Sequence, residues 1–176
     1  MANFKDSKHF NVHNDYYTPK SAWENIQHII PKDKKIWEAC MLNSHKSKSP
    51  QYLTELGFDV VYDTSMNILE SQPDEYDIIV SNPPFETKIK KEILKRLVEL
   101  DKPFILLMNS LNMYSKYMRE IFKDNLQHLQ IINPSTKIHY GKYLDNGDMV
   151  YDKKTSFYSI YLAYKMNIPN EQLWIE

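Results

Sequence analysis

Cysteine, long apolar runs and glycine are all scarce in this chain of 176 residues. A single cysteine, Cys40, excludes an intramolecular disulfide and is typical of a reducing compartment. No window approaches 18 apolar residues, and the N-terminal stretch has no apolar segment of the signal-peptide kind, so the sequence predicts a soluble, intracellular protein with no membrane partner. Glycine occurs only at Gly57, Gly141 and Gly147, which restricts where the backbone can turn tightly.

An excess of charge of either sign is also absent. The 22 Lys and Arg residues and 23 Asp and Glu residues leave a net charge of −1. The chain therefore lacks the global basic character that binds nucleic acid by charge alone, and any such surface must be local. Hydrophobic residues make up 42% of the chain and aromatic residues 13%, which predicts a packed domain rather than a disordered segment.

Short apolar stretches alternate with helical patterns along the chain. Strands are predicted at "KKIWEAC", "FDVVYD", "YDIIVS", "KPFILLMN" and "LQHLQIIN". Helices are predicted at "TPKSAWENIQHII", "SPQYLTELG", "KIKKEILKRLVELD" and "MYSKYMREIFKD". In the third helix, the residues predicted to face inward are Ile89, Ile93, Leu97 and Leu100. This alternation predicts a doubly wound α/β domain with a mostly parallel sheet.

The two ends of the chain have different patterns. Residues 1–15 are polar and aperiodic, which predicts an N-terminal arm before a domain at 16–176. Turn signals at Gly141 and Asn146-Gly147 lie between β-rich stretches, so we expect an antiparallel C-terminal hairpin at the edge of the sheet.

The stretch "DIIVSNPPFETKIK" ends a buried strand in an amide, two prolines and a phenyl ring. Asn82 falls at the carboxyl end of the strand, where α/β sheets bind ligands. Pro83 and Pro84 end the strand and make the turn stiff, because each ring fixes φ near −65°. The Asn82 side-chain oxygen and the Pro83 carbonyl then form a rigid pair of acceptors for a planar amino group, whose ring would stack on Phe85. A helix-capping Asn-Pro turn is the alternative interpretation.

"SNPPF" resembles the catalytic motif of the S-adenosylmethionine-dependent amino-methyltransferases, above all the adenine-N6 DNA methyltransferases. "YYTP" resembles the motif that precedes their first strand, and "IWEAC" and "FDVVYD" resemble their first two strands. The tail "SFYSIYLAYKMN" is similar to the closing strand of small viral and phage members. The resemblance spans about residues 15–165, in the motif order of the γ-type enzymes, and implies a single Rossmann-like methyltransferase domain.

The resemblance also implies site residues. The catalytic residues would be Asn82, Pro83, Pro84 and Phe85. The residues that hold S-adenosyl-L-methionine would be Tyr17, Thr18, Pro19, Glu38, Ala39, Cys40, Asp63 and Asn82. Asp63 would accept hydrogen bonds from the ribose hydroxyls. The alternatives are an ordinary turn residue at Asp63, core packing by Tyr16 and Tyr17, and a buried, inert Cys40.

The cofactor loop departs from the family pattern. Relatives follow the first strand with a glycine-rich turn, whereas "EACMLNSHKSKSP" contains no glycine between Glu38 and Gly57. Asn43-Ser44 can replace an Asp-Gly pair, because asparagine tolerates the left-handed region. Two outcomes stay open: the loop is remodelled around the cofactor, or cofactor affinity is weak or lost.

Local charge and chain length bear on the partners. Lys88, Lys90 and Lys91 follow the Asn-Pro-Pro-Phe turn and are the predicted phosphate-binding residues, with an ordinary solvated helix face as the alternative. The chain has no room for a separate recognition region, so loops 109–117 and 141–154, a partner subunit or a homodimer would supply specificity. The six histidines show no metal-ligand spacing, which predicts no metal.

Together these features predict methyl transfer from S-adenosylmethionine to the N6 amino group of adenine in DNA, with the base flipped out of the duplex. RNA adenine or a glutamine amide is an alternative substrate, although related glutamine enzymes typically have tyrosine where this chain has Phe85. A catalytically inactive binding subunit also stays open. The resemblance places such a protein in the cytoplasm of a microbe or a virus-infected cell.

Overall fold

The structure is a computed structural model that describes residues 16–144, 146, 148–151, 157–170 and 173–175. The arm predicted at 1–15 lies outside these residues. In chain order, the elements are α1 (Lys20–Ile26), β1 (Lys35–Trp37), α2 (Ser49–Glu55), β2 (Asp59–Val61), β3 (Ile78–Ser81), α3 (Thr87–Leu100), β4 (Phe104–Asn109), α4 (Lys116–Phe122), β5 (Leu129–Pro134), β6 (Gly141–Tyr143), β7 (Met149–Tyr151), β8 (Ser159–Tyr164) and β9 (Trp174–Ile175). Short 3-10 helices lie at Ser110–Tyr114 and Leu126–His128.

Seven strands form one sheet in the order β2-β1-β3-β4-β8-β5-β9. The pairs are parallel except where β8 runs antiparallel to β4 and β5. The predicted α/β class with a mostly parallel sheet is therefore confirmed. The strand order reverses at β1, which lies between β2 and β3. A reversal of this kind opens a crevice at the carboxyl ends of the strands, the usual ligand position in α/β sheets.

Helices cover both faces of the sheet, because successive side chains along a strand point to opposite faces. On one face, Ile105 and Leu107 of β4 belong to a core with Trp23 of α1 and Leu53 of α2. On the other face, the core contains Phe104 and Leu106 of β4, Leu94 and Leu97 of α3, and Phe122 of α4. Strands β3 and β8 are buried at every position, which explains why they read as continuous apolar runs in the sequence.

The C-terminal hairpin is confirmed, but its position differs from the prediction. Strands β6 and β7 pair antiparallel in a separate two-stranded sheet and do not extend the edge of the large sheet. The antiparallel strand of the large sheet is β8, which lies between β4 and β5. Its six buried residues, "SIYLAY", are apolar enough for a central position, which is where burial on both faces is greatest.

The inward face of α3 is rotated by about one residue relative to the prediction. Ile93 and Leu97 are buried as predicted, but Ile89 is 39% exposed and Leu100 is only half-buried. The buried residues are Lys90, Ile93, Leu94 and Leu97, the i, i+3, i+4, i+7 pattern of one helix face. Lys90 therefore points inward, whereas the sequence pattern predicted that Ile89 would do so.

Within the part of the chain that the structure describes, no helix combines the length and hydropathy needed to cross a bilayer.

Candidate active site

A cavity of about 620 Å³ lies at the carboxyl ends of β1 and β3. These strands pair in parallel, with Trp37 opposite Ile79, so the residues that follow them are neighbours. The cavity is lined by residues 16–18, 38–40, 42–47, 49, 67–69, 82–85, 89 and 93. The structure thus brings together the "YYTP" segment, the end of the first strand, the glycine-free loop and the Asn-Pro-Pro-Phe turn. Of the predicted residues, those in the lining are Tyr17, Thr18, Glu38, Ala39, Cys40, Asn82, Pro83, Pro84 and Phe85.

Asn82 is oriented by the "YYTP" segment. Its Nδ2 donates a hydrogen bond to Thr18 Oγ1 at 3.0 Å, and Thr18 is buried. Because the amide nitrogen is engaged, Oδ1 remains as the acceptor of this side chain. Among the described residues, none donates to Asn82 Oδ1 or to the carbonyl oxygen of Pro83. The two acceptors are therefore available for the protons of an amino group.

The ring of Phe85 belongs to an aromatic cluster, which we define as Tyr16, Phe85, Tyr140 and Phe157. The Phe85 ring centroid lies 5.5 Å from those of Tyr16 and Phe157 and 6.0 Å from that of Tyr140. Tyr140 is fully buried, and its hydroxyl hydrogen-bonds Ser159 Oγ at 2.8 Å. Sequence reasoning missed Tyr140 and Phe157, because no local pattern shows that residues so far along the chain pack on the turn.

Glu38 is a buried carboxylate at the end of β1, with 2% of its surface exposed. The Ser81 hydroxyl donates to Glu38 Oε1, and the backbone N–H of Cys40 donates to Ser81 Oγ at 3.1 Å. Burial raises the pKa of Glu38 to about 7, because the hydrogen bonds offset only part of the desolvation of the charged form. Burial, together with the nearby Glu38, also raises the pKa of the Cys40 thiol to about 12. Cys40 is therefore a protonated, unreactive thiol at neutral pH.

The glycine-free loop turns at Asn43, whose φ of 57° is in the left-handed region. Asn43 therefore adopts the left-handed conformation that asparagine was expected to tolerate in this loop. The Asn43 N–H donates to the carbonyl of Thr64 at 3.0 Å, and the Ser44 N–H donates to that of Met41 at 2.8 Å. The Tyr143 hydroxyl donates to the carbonyl of Lys46 at 3.2 Å, which ties the loop to the hairpin. The loop is therefore an ordered turn that keeps its place without glycine.

Replacement of Asn43 tests this turn. Asn43→Ala is expected to lower the free energy of unfolding by about 1 kcal/mol, because a Cβ without a compensating polar group is strained at positive φ. Asn43→Gly relieves the steric conflict and is expected to cost less than the alanine variant. Urea unfolding of the three proteins measures the difference. An alanine variant as stable as the parent would contradict the left-handed turn.

The β6–β7 hairpin covers the "YYTP" segment. Tyr17 and Gly141 exchange two backbone hydrogen bonds of 2.9 and 2.8 Å, and the rings of Tyr17 and Tyr143 lie 4.8 Å apart. A Cβ at position 141 would lie 2.7 Å from Met149 Sδ, so glycine permits this close pairing. The hairpin, whose role was not predicted from the sequence, thus holds one wall of the cavity in place.

Two of the predicted cofactor-binding residues, Pro19 and Asp63, lie outside the cavity lining. Asp63 is exposed, and its Oδ1 accepts from the Ser65 N–H and hydroxyl, both at 2.7 Å, which lowers its pKa. In this structure Asp63 acts as a turn residue, which was the alternative to ribose binding. Pro19 is buried and caps the start of α1. Residues 67–69 lie in the loop that follows β2 and also line the cavity. Sequence reasoning missed them.

The predicted phosphate-binding lysines separate into two groups. Lys88 is exposed and Lys91 is half-buried, with its ammonium 5.2 Å from the ring centroid of Tyr117. Lys90 is 5% exposed, and its ammonium donates to the carbonyl of Phe85 at 3.2 Å and to Asn112 Oδ1 at 3.3 Å. Burial lowers the pKa of Lys90. In this structure the Lys90 ammonium faces the protein interior, whereas phosphate binding would require it to be exposed.

Metal-binding chemistry has no candidate centre among the described residues, since no three His, Cys, Asp or Glu side chains converge there.

Comparison with models of protein families and with curated proteins finds no match. Solved structures do match. A candidate class I S-adenosylmethionine-dependent methyltransferase from Listeria monocytogenes is 13% identical with a TM-score of 0.53, over 97% of this chain and 68% of that one. The 16S rRNA N2 G1207 methyltransferase of T. thermophilus is 14% identical with a TM-score of 0.47, over 90% and 45%. A dimethyladenosine transferase from Plasmodium falciparum is 10% identical with a TM-score of 0.45, over 89% and 64%.

The chain spans about two thirds or less of the length of these three structures. With 13% identity and a TM-score of 0.53, the Listeria structure shows a likeness of fold. The chain therefore has a Rossmann-like methyltransferase fold.

Proposed function

We propose that this protein transfers a methyl group from S-adenosyl-L-methionine to the N6 amino group of adenine in DNA. The observation that carries the proposal is the geometry of Asn82. Its amide nitrogen is bound by Thr18, so its oxygen is free to act as an acceptor beside the Pro83 carbonyl and the Phe85 ring. All of these groups line one cavity at the reversal of strand order.

The cavity fits a cofactor of this size and chemistry. Its volume of about 620 Å³ lies within the range typical of small-molecule sites. Asn43 gives the loop the left-handed backbone conformation that favours glycine, and residues 67–69 also line the cavity. Glu38, Ala39, Tyr17 and Thr18 would hold the cofactor, which when bound supplies an electrophilic methyl group on a positively charged sulfur.

The chain's own residues would act on the amino group of the substrate. Asn82 Oδ1 and the Pro83 carbonyl accept hydrogen bonds from its two N–H groups, which draws the nitrogen lone pair out of conjugation and toward the methyl donor. Pro83 and Pro84 keep these acceptors from moving, because each ring fixes φ. Phe85 would provide a flat face for the ring that bears the amino group, and its contacts with the other members of the aromatic cluster hold it in position.

The aromatic cluster favours a nucleic-acid base over a glutamine amide, because only a base has a ring to stack. Lys88 and Lys91, which follow the turn, are the proposed phosphate-binding residues. RNA adenine would use the same geometry and is the second candidate substrate.

Calorimetric titration of S-adenosylmethionine into the purified protein tests the cofactor. Binding in the micromolar range is expected, because the loop is an ordered turn beside a cavity of suitable volume. S-adenosylhomocysteine, whose sulfur is uncharged, is titrated as the comparison ligand. Absence of heat up to millimolar cofactor would overturn the enzymatic proposal and favour a binding subunit.

Transfer of a labelled methyl group tests the substrate. Adenine-containing duplex DNA, single-stranded DNA, RNA and a glutamine peptide are offered in parallel, with adenine-free DNA as the control. Label on DNA adenine supports the proposal, whereas label on RNA alone would move the assignment to RNA. Cofactor binding without transfer to any of them would indicate that a partner subunit or a second copy completes the site.

A further inference from the structure

The three most exposed large hydrophobic side chains among the described residues lie together. Tyr114 is 88% exposed, Tyr158 is 67% exposed and Leu111 is 66% exposed. Leu111 and Tyr114 belong to the 3-10 helix Ser110–Tyr114, whose first residue donates its N–H to the carbonyl of Tyr158 at 2.9 Å. We call these three residues the exposed patch. Clustering of this kind marks an interaction surface rather than the scattered exposure that is ordinary on soluble proteins.

The exposed patch borders the Asn-Pro-Pro-Phe turn. Asn112, at the centre of the same 3-10 helix, accepts from the Lys90 ammonium at 3.3 Å, and that ammonium also donates to the Phe85 carbonyl at 3.2 Å. The Tyr117 hydroxyl donates to Asn112 Oδ1 at 2.6 Å, and Asn112 Nδ2 donates to the Asn109 carbonyl at 2.7 Å. These bonds fix the Asn112 side chain, so the patch has a defined position relative to Phe85.

Cations lie beside the exposed patch. The Lys137 ammonium lies 5.2 Å from the ring centroid of the exposed Tyr158. The Lys116 side chain, directly after the 3-10 helix, is 88% exposed and pairs with Glu120 at 3.3 Å. Exposed rings beside ammonium groups match unpaired nucleic acid, because bases stack on the rings while phosphates meet the charges.

We propose that the exposed patch binds unpaired bases of the nucleic-acid strand that carries the target nucleotide. This inference rests on the proposed function and adds to it that the bound substrate strand is unpaired. Bases in an intact duplex are covered by their neighbours, whereas a single strand or a strand opened by base flipping presents free faces to Tyr114 and Tyr158. The protein is therefore expected to bind single-stranded or locally opened DNA more tightly than fully paired DNA.

Fluorescence anisotropy with a labelled single-stranded oligonucleotide tests the patch without requiring methyl transfer. Tyr114→Ala and Tyr158→Ala are each expected to weaken binding about five- to hundredfold, the range for loss of one base–aromatic contact. Tyr114→Phe and Tyr158→Phe keep the ring and are expected to bind as the parent protein does. Tyr62→Ala is the matched control, because Tyr62 is 52% exposed but follows β2 at the far edge of the sheet.

The outcomes separate this proposal from the proposed reaction. Alanine variants that bind the oligonucleotide as tightly as the parent protein, or a parent protein that binds none, would overturn the patch and assign it to a protein partner. If the alanine variants bind more weakly while the phenylalanine variants and Tyr62→Ala do not, the patch is supported even when no substrate is methylated. In that case only the proposed reaction fails. Circular dichroism of each variant confirms that the fold is retained.

Discussion

Asn82→Ala is expected to lower kcat for methyl transfer by about 10²–10³-fold, the usual cost of removing one preorganised polar group that stabilises a transition state. The substitution removes the oxygen that accepts a hydrogen bond from the substrate amino group. It leaves the Pro83 carbonyl and the Phe85 ring in place, so KM for the nucleic acid is expected to change much less than kcat. Steady-state rates at saturating cofactor measure both constants.

Asn82→Asp and Thr18→Val show whether the orientation of the amide matters. An aspartate keeps an acceptor oxygen, and the Thr18 hydroxyl can reverse and donate to it, so this variant is expected to retain far more activity than the alanine variant. Thr18→Val removes the partner at 3.0 Å that distinguishes the amide nitrogen from the oxygen. Its kcat is expected to fall while Asn82 remains. Full activity of Asn82→Ala would contradict the proposed role of Asn82 as the acceptor for the amino group.

The parts of the site that could be predicted from the sequence are those set by local chemistry. Two consecutive prolines after a buried strand end that strand whatever surrounds them, so the position of Asn82 follows from the sequence. Asn43 is similar, since a loop without glycine must turn at a residue that tolerates positive φ. The alternation of strand and helix patterns is also a local feature of the sequence, and it predicted the mostly parallel sheet.

The parts that could not be predicted depend on contacts between distant residues. The pairing of Tyr17 with Gly141 and the packing of Phe157 on Phe85 join segments more than 70 positions apart, and no local pattern encodes them. The central position of β8 has the same origin, because its apolar run is equally compatible with an edge hairpin until its neighbours are known.

Lys90 shows a different limit. Helical periodicity assigns positions to faces, but the six apolar residues of α3 allow the buried face to be rotated by one residue, and Lys90 was then predicted to lie outside. The structure buries it because the carbonyl of Phe85 and the amide of Asn112 accept from its ammonium. A residue whose role is to bridge two loops carries no periodic signal of its own.

Glu38→Gln is expected to stabilise the protein above pH 7 by about 3 kcal/mol, each pKa unit being worth about 1.4 kcal/mol. Burial raises the pKa of Glu38 from 4.5 in the reference state to about 7 in the folded state. As the pH rises past 4.5 the unfolded chain loses this proton first, so the parent protein loses stability between pH 4.5 and 7. Glutamine stays neutral and can still accept from Ser81, so the variant avoids this loss.

Urea unfolding of both proteins at pH 4.5 and pH 8 measures the effect. The two are expected to be about equally stable at pH 4.5 and to differ at pH 8, with Glu99→Gln as the control for removal of an exposed carboxylate. Equal stability at pH 8 would mean that Glu38 is ionised without cost in the folded state. Glu38 also lines the cavity, and carboxylates with raised pKa values cluster at functional sites. Affinity for the positively charged cofactor is therefore expected to rise between pH 6 and 8 in the parent protein and to stay level in Glu38→Gln.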